Sequence, residues 1–357
     1  MNVTRLKDLL QAAVELELST IPPYLCALYS LRPGSNDEAA AIIRSVVVEE
    51  MLHMVLAANV LTAIGGTPRL TGTDHVPRYP HELPDGVVID LLPFCPQAVE
   101  AFLKVENPQH DHQAMDPEHP LIVGRRPEKH PAGATAVMSR PATIGAFYAE
   151  ISEALEQAAK ELGEPALFCG DPARQVTRQY YYASGGMPDV VTDLASAQAA
   201  LDEIVDQGEG DPSSMFDADG NLAHYFRFQQ LKYNRSYRRS DNAGPPSGPP
   251  IGVDFDAVYP MIANPRGADY TDPELRAASD TANRTWSDLL RQLEAGFNGR
   301  PEMLLTAVPT MFRLRDQSLV LLANPLPSDG RRHAGPTFEW DGVDGPDPEP
   351  DQMKGLQ

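Results

Sequence analysis

The residues best suited to chemistry are a glutamate and a histidine three positions apart, Glu50 and His53. Residues at this spacing share one face of a helix, so the carboxylate and the imidazole can contact the same metal ion or pair of ions. The pair interrupts an apolar stripe with alternating spacings of three and four. The stripe reads Ile43, Val46, Glu50, His53, Ala57, Val60 and Ile64. Because an unpaired buried carboxylate is costly, this core-facing position predicts a bound partner.

An earlier segment of the chain offers a second core-facing carboxylate. Its stripe, with the same spacing, reads Leu6, Leu10, Ala13 and Glu17. Glu15 lies about 160° from Glu17 around the helix axis, since successive residues are about 100° apart. We therefore predict Glu17, and not Glu15, as a metal ligand.

Dinuclear carboxylate bundles use one glutamate from each of two helices and two Glu-x-x-His pairs, and this chain has only one such pair. The stripe Thr143, Phe147, Glu150 and Ala154 favours Glu150 over Glu153 as a further ligand. Glu209, at the end of the next helical segment, is another predicted metal ligand. His224, which shares a helix face with Phe228 and Leu231, is a displaced candidate for the missing imidazole.

Other polar and aromatic residues have weaker claims to chemistry. The segment after the second helix carries His110, His112 and His119, which are expected to be solvated more often than metal-bound. The tyrosines Tyr180, Tyr181, Tyr182 and Tyr225 favour aromatic packing over redox chemistry. Arg227 has two interpretations, contact with a substrate carboxylate or a surface salt bridge, and the second is favoured.

Helical periodicity accounts for most of the elements that must position these residues. The predicted helices cover residues 6–27, 38–64, 97–104, 143–162, 192–207, 222–233, 272–297 and 301–323. Pro22 and Pro23 are expected to kink or split the first helix. The fold class is therefore mainly α, a four-helix bundle with a long crossover between its second and third helices and additional C-terminal helices.

Three regions follow from this pattern. Residues 1–240 are expected to form the metal-binding bundle with its crossover at 67–140. Residues 241–340 form a Pro-rich linker and C-terminal helices that pack on the bundle. Residues 341–357 are acidic and Pro-rich, which predicts a disordered tail.

Charge and cysteine content exclude several kinds of function. The chain has 29 Lys+Arg against 50 Asp+Glu, a formal net charge of −21, so nucleic acid is not an expected partner. No apolar run near the N-terminus is long enough for a signal sequence or a membrane span, so a cytoplasmic protein without a membrane partner is expected. Three cysteines without metal or redox spacing predict neither a disulfide framework nor a thiolate site.

Six stretches carry a family resemblance, at residues 16–30, 49–68, 143–151, 204–210, 224–231 and 334–340. In them the sequence resembles the ferritin-like domain of the iminophenyl-pyruvate dimer synthase family, which acts in bisindole, chromopyrrolate-type pigment biosynthesis. The resemblance implies a ferritin-like bundle. It also implies oxidative chemistry on a small amino-acid-derived substrate in secondary metabolism.

Carboxylate and imidazole ligands suit iron or manganese, so the leading hypothesis is a non-haem dinuclear iron oxidoreductase or oxygenase, with manganese as the alternative metal. Its partners would be dioxygen and a small-molecule substrate, with a homo-oligomer or a partner biosynthetic enzyme also open. No catalytic residue is assigned. Imine dimerisation, metal storage and a metal-free partner protein are the alternatives, and haem stays open because the family's synthases are described as haem proteins.

Overall fold

The computed structural model describes residues 2–108, 141, 143–181, 184–210, 214–217, 219–328 and 330–342. Three predictions lie outside these residues. They concern the crossover histidines at positions 110, 112 and 119, the tyrosine at position 182, and the acidic tail beyond residue 342.

Regular structure in the described residues is almost entirely helical, which confirms the mainly α prediction. The helices are α1 (Val3–Ser30), α2 (Asp37–Ala63), α3 (Pro96–Val105), α4 (Ile144–Leu162), α5 (Glu164–Leu167), α6 (Leu194–Gly208), α7 (His224–Tyr233), α8 (Pro273–Phe297) and α9 (Met303–Ala323). Two short strands, β1 (His81–Glu82) and β2 (Val88–Ile89), pair antiparallel. This hairpin was not predicted from the sequence.

Four of the helices close into a bundle. Helix α1 packs against α2 and α4, and α6 packs against both α2 and α4. The connection from α2 to α4 contains the β1–β2 hairpin and α3. This arrangement confirms the predicted four-helix bundle with a long crossover between its second and third helices.

Further contacts bring other elements to the bundle. Helix α3 packs on α7, and α7 packs on α2, so the end of the crossover and the start of α7 meet beside the bundle core. The pair α8–α9 contacts α1 and α2. Trp286 and Phe338 lie in the same continuous apolar core as the bundle residues.

Helix α1 continues through Pro22 and Pro23, so the expected split does not occur. A proline lacks the amide that would donate to the carbonyl four residues earlier. For Pro23 that carbonyl belongs to Ser19, and it accepts a hydrogen bond from the Tyr79 hydroxyl at 2.7 Å instead. The crossover segment thus satisfies a backbone group that the proline leaves open.

Helix α2 forms the centre of the core. By length and composition it could span a membrane, but 89% of its most apolar window is buried inside the protein. That burial is typical of the core helix of a soluble protein. The predicted apolar stripe faces inward as expected, and Glu50 and His53 on it are buried with exposed fractions of 3% and 2%.

Candidate metal centre

Helices α1 and α2 bring three predicted ligands together in the core. Glu17 from α1 and the pair Glu50 and His53 from α2 each offer a ligand atom within 4.8 Å of the others. The Nδ1 atom of His53 lies 3.6 Å from Oε2 of Glu17. We call these three residues the first triad.

A second group adjoins the first and shares Glu50 with it. Its other members are Glu106, which follows α3, and His224, the first residue of α7. Nδ1 of His224 lies 3.0 Å from Oε1 of Glu50 and 3.5 Å from Oε2 of Glu106. We call Glu50, Glu106 and His224 the second triad. A shared carboxylate between two triads is suited to a pair of adjacent ions.

Each imidazole has its Nε2 atom fixed by a side chain outside the two triads. Nε2 of His53 lies 3.0 Å from the side-chain oxygen of Gln207, and Nε2 of His224 lies 2.8 Å from Oε2 of Glu49. The guanidinium of Arg227 also contacts Oε2 of Glu49, at 2.8 Å. Metal-binding histidines usually have their second nitrogen fixed in this way, which orients the first nitrogen towards the ion.

Hydroxyl groups fix the three carboxylates of the triads. Tyr148 donates to Glu17. Tyr24 donates to Oε1 of Glu106 at 2.5 Å, and Thr20 donates to Oε2 of Glu50 at 2.8 Å. Each carboxylate therefore keeps acceptor capacity for an ion while one hydrogen bond sets its orientation.

Burial and crowding of like charges perturb the titration of the shared carboxylate. Burial, followed by the charge of Glu106, raises the pKa of Glu50 to about 8. Burial alone would lower the pKa of His224, but Glu106 and the other carboxylates around it raise that pKa well above its usual value. Without a metal ion, the cluster therefore favours states in which its carboxylates and imidazoles hold extra protons. Bound metal cations would replace the positive charge of those protons.

The residues present fit a metal centre. Nδ1 of His224 is buried and has no hydrogen-bond partner, although two carboxylates lie near it. A buried polar atom of this kind is costly unless a ligand satisfies it. A cavity of about 20 Å³ lies between the triads and the facing helices, which is room for a water-sized occupant. Three carboxylates and two imidazoles form a donor set that suits iron or manganese.

Comparison with known proteins supports this view of the fold. A family model described as ferritin-like matches residues 10–233, well over half of the chain. The chain belongs to the ferritin-like family. A crystal structure of a ferritin-like protein from Caulobacter vibrioides superposes with a TM-score of 0.58 at 21% sequence identity, covering 95% of this chain and 99% of that one. No curated protein matches the sequence.

Four predicted ligands meet in the two triads: Glu17, Glu50, His53 and His224. Glu209 is buried at the end of α6 and lines the same cavity, but its Oε1 accepts a hydrogen bond from the backbone amide of Gly145 at 2.7 Å. It belongs to neither triad.

Glu150 is not brought to the cluster, contrary to its expected core-facing position. Its carboxylate is 31% exposed and lies 3.4 Å from the guanidinium of Arg5. The buried face of α4 passes instead through Tyr148 and Ile151, so the predicted stripe was rotated from the true one. Tyr148 occupies the inward position and contacts Glu17.

Glu106 and Glu49, the partner of Nε2 of His224, were not predicted from the sequence. A signal for Glu106 was present, because Val99 and Phe102 on α3 and Glu106 directly after it repeat the spacing of three and four. Arg227 was expected at the surface, but it is buried against Glu49 because α7 packs on α2.

The described tyrosines from the sequence analysis lie outside both triads. Tyr181 is buried and donates to the backbone carbonyl of Val48 at 3.3 Å. Tyr180 and Tyr225 pack against the apolar core. The tyrosines that do contact the triads, Tyr24 and Tyr148, were not singled out by sequence.

Proposed function

We propose that this ferritin-like protein is a metal-dependent oxidoreductase with a dinuclear centre of iron, or of manganese in its place. The ligands are Glu17, Glu50, His53, Glu106 and His224. The observation that carries the proposal is the pair of buried triads that share Glu50. Three carboxylates and two imidazoles converge where an apolar core would otherwise be expected, and burying them without cations is costly.

When bound, such a pair of ions would supply the redox chemistry that activates dioxygen. The protein itself supplies fixed ligands and a restricted cavity. Leu16, Val105 and Ile204 line the cavity beside the triads and limit the water that can enter. Burial raises the pKa of both Tyr24 and Tyr148 well above the usual value, so both phenols keep their protons and act as donors to the ligand carboxylates.

The proposed reaction is the oxidation of a small amino-acid-derived molecule in secondary metabolism, with dioxygen as co-substrate. The proposed location is the cytoplasm. The six stretches that resemble the iminophenyl-pyruvate dimer synthases support this choice, since they include the segments that carry Glu17, Glu50 and His224. Imine dimerisation of the kind implied by that family is the alternative outcome of the same site.

The test combines metal analysis with oxygen consumption on the purified full chain. We expect about two iron or manganese ions per chain and oxygen consumption with amino-acid-derived imines or amines. Glu50→Ala should remove both, because it takes a ligand from each triad, whereas the matched control Glu150→Ala should keep both. Metal uptake without any substrate oxidation would replace the proposal with a storage role, and absence of metal after reconstitution would overturn it.

A further inference from the structure

A second cavity lies on the other side of α1 from the triads. This cleft has a volume of about 460 Å³, within the range of small-molecule sites. It lies between α1 and the crossover segment that contains β1. Its lining residues are Ala12, Glu15, Leu16, Asp74, His75, Val76, Pro77, Arg78, His81, Glu82, Leu83 and Pro84.

Helix α1 is the common wall of the cleft and the metal centre. Leu16 lines both the cleft and the small cavity at the triads. The residues on either side of it diverge, because Glu15 lines the cleft while Glu17 belongs to the first triad. A ligand in the cleft would thus be separated from the metal centre by the thickness of one helix, with Leu16 reaching both spaces.

The cleft combines an apolar wall with a fixed acidic group. Ala12, Val76 and Leu83 supply apolar surface. Oε1 of Glu15 lies 2.6 Å from Nδ1 of His75 and accepts a hydrogen bond from Nε2 of Gln11 at 2.8 Å. These two contacts hold the carboxylate in place and leave Oε2 for a ligand. A half-buried carboxylate anchored in this way is a suitable partner for a cation.

The charges of the cleft favour a positively charged ligand. Three carboxylates line it, those of Glu15, Asp74 and Glu82, against the guanidinium of Arg78 and the imidazoles of His75 and His81. Burial lowers the pKa of His81, which favours its neutral form. The chain as a whole carries a net charge of −21, which adds a long-range attraction for cations and repels anions.

We propose that this cleft binds a small ammonium-bearing molecule with an apolar body. Ligand binding by the cleft does not depend on the proposed function. The ammonium group pairs with Glu15, and the apolar body packs against Ala12 and Leu16.

Binding is tested by calorimetric titration of the full chain with 2-phenylethylamine and with the uncharged analogue 2-phenylethanol. We expect saturable binding of the amine, with the alcohol weaker by about tenfold or more. Glu15→Gln should weaken the amine by about tenfold and leave the alcohol unchanged. The control Asp8→Asn removes the same charge from an exposed position of α1 outside the cleft, and it should leave both affinities unchanged.

A second variant tests the location independently of charge. Ala12→Phe fills the cleft from a half-buried position and should abolish binding of the amine. The inference is overturned if neither probe saturates, if the alcohol binds as tightly as the amine, or if amine binding survives both Glu15→Gln and Ala12→Phe. If the chain binds no metal but its cleft still binds the amine, the proposed function fails while the binding site stands.

Discussion

Removing metal from this protein should make its folded state less stable as the pH rises. The shared carboxylate of Glu50 has its pKa raised from 4.5 to about 8, first by burial and then by the charge of Glu106. A carboxyl group with a raised pKa in the folded state contributes full stability below pH 4.5 and loses it as the pH rises through 8. At about 1.4 kcal/mol per pKa unit, this shift corresponds to a loss of up to about 5 kcal/mol. That loss is a large part of the stability of an ordinary domain.

Neighbouring groups act in the same direction or outside this pH window. The pKa values of His53 and His224 are raised overall by adjacent carboxylates despite the opposing effect of burial, so their contribution is also lost as the pH rises through those raised values. The pKa of Glu17 is lowered because His53 and Tyr148 outweigh burial. A lowered carboxyl pKa contributes stability above pH 4.5 and loses it only in acid, so Glu17 does not offset the decline.

Chemical denaturation of the chelated protein between pH 5.5 and 9 measures this effect. We expect the free energy of unfolding to fall across the range, and added metal to reverse the fall. Glu50→Gln keeps the shape of the side chain and removes its titration, so the decline should be shallower. A chelated protein whose stability is flat or rises with pH, or a Glu50→Gln variant with an unchanged slope, would refute the electrostatic reasoning.

Three other changes separate the roles of individual residues. Glu106→Ala should leave about one metal ion of two, while Glu150→Ala should leave both; metal analysis showing equal loss would contradict the assignment of the triads. Gly145→Ala should lower the free energy of unfolding, measured by denaturation, by about 1–3 kcal/mol, because an added Cβ would lie 2.5 Å from both carboxylate oxygens of Glu209. Unchanged stability would show that this carboxylate moves freely. Asn59→Ala should lower the free energy of unfolding by about 2–4 kcal/mol in the same measurement, since the buried amide of Asn59 pairs with the backbone amide and carbonyl of Val176. A loss below about 1 kcal/mol would mean that water replaces those hydrogen bonds.

The sequence was most informative where a polar residue interrupts a long apolar stripe. Glu17, Glu50 and His53 lie on the two longest helices, whose burial follows directly from their periodicity. The stripe also predicts which side chains meet, because α1 and α2 are antiparallel neighbours joined by a short turn. A long helix repeats its apolar spacing over many turns, so the face that points into the core was identified correctly.

The same reasoning failed on shorter or more polar helices. On α4 two stripes differ by one residue, and only the packing partners decide that Tyr148 faces inward and Glu150 faces Arg5. Glu106 follows a ten-residue helix in the crossover, where the stripe is short and the fold gives no expectation of a ligand. The role of Glu49 depends on α7 packing against α2, a contact between distant segments that periodicity does not encode.

Anomalous diffraction from a crystal of the metal-loaded protein, recorded at the absorption edge of the bound metal, tests the central claim most directly. Two ions sharing one carboxylate should give two peaks on either side of Glu50. One peak should adjoin Glu17 and His53, and the other should adjoin Glu106 and His224. A single peak elsewhere in the chain, or no peak between the two triads, would contradict the account.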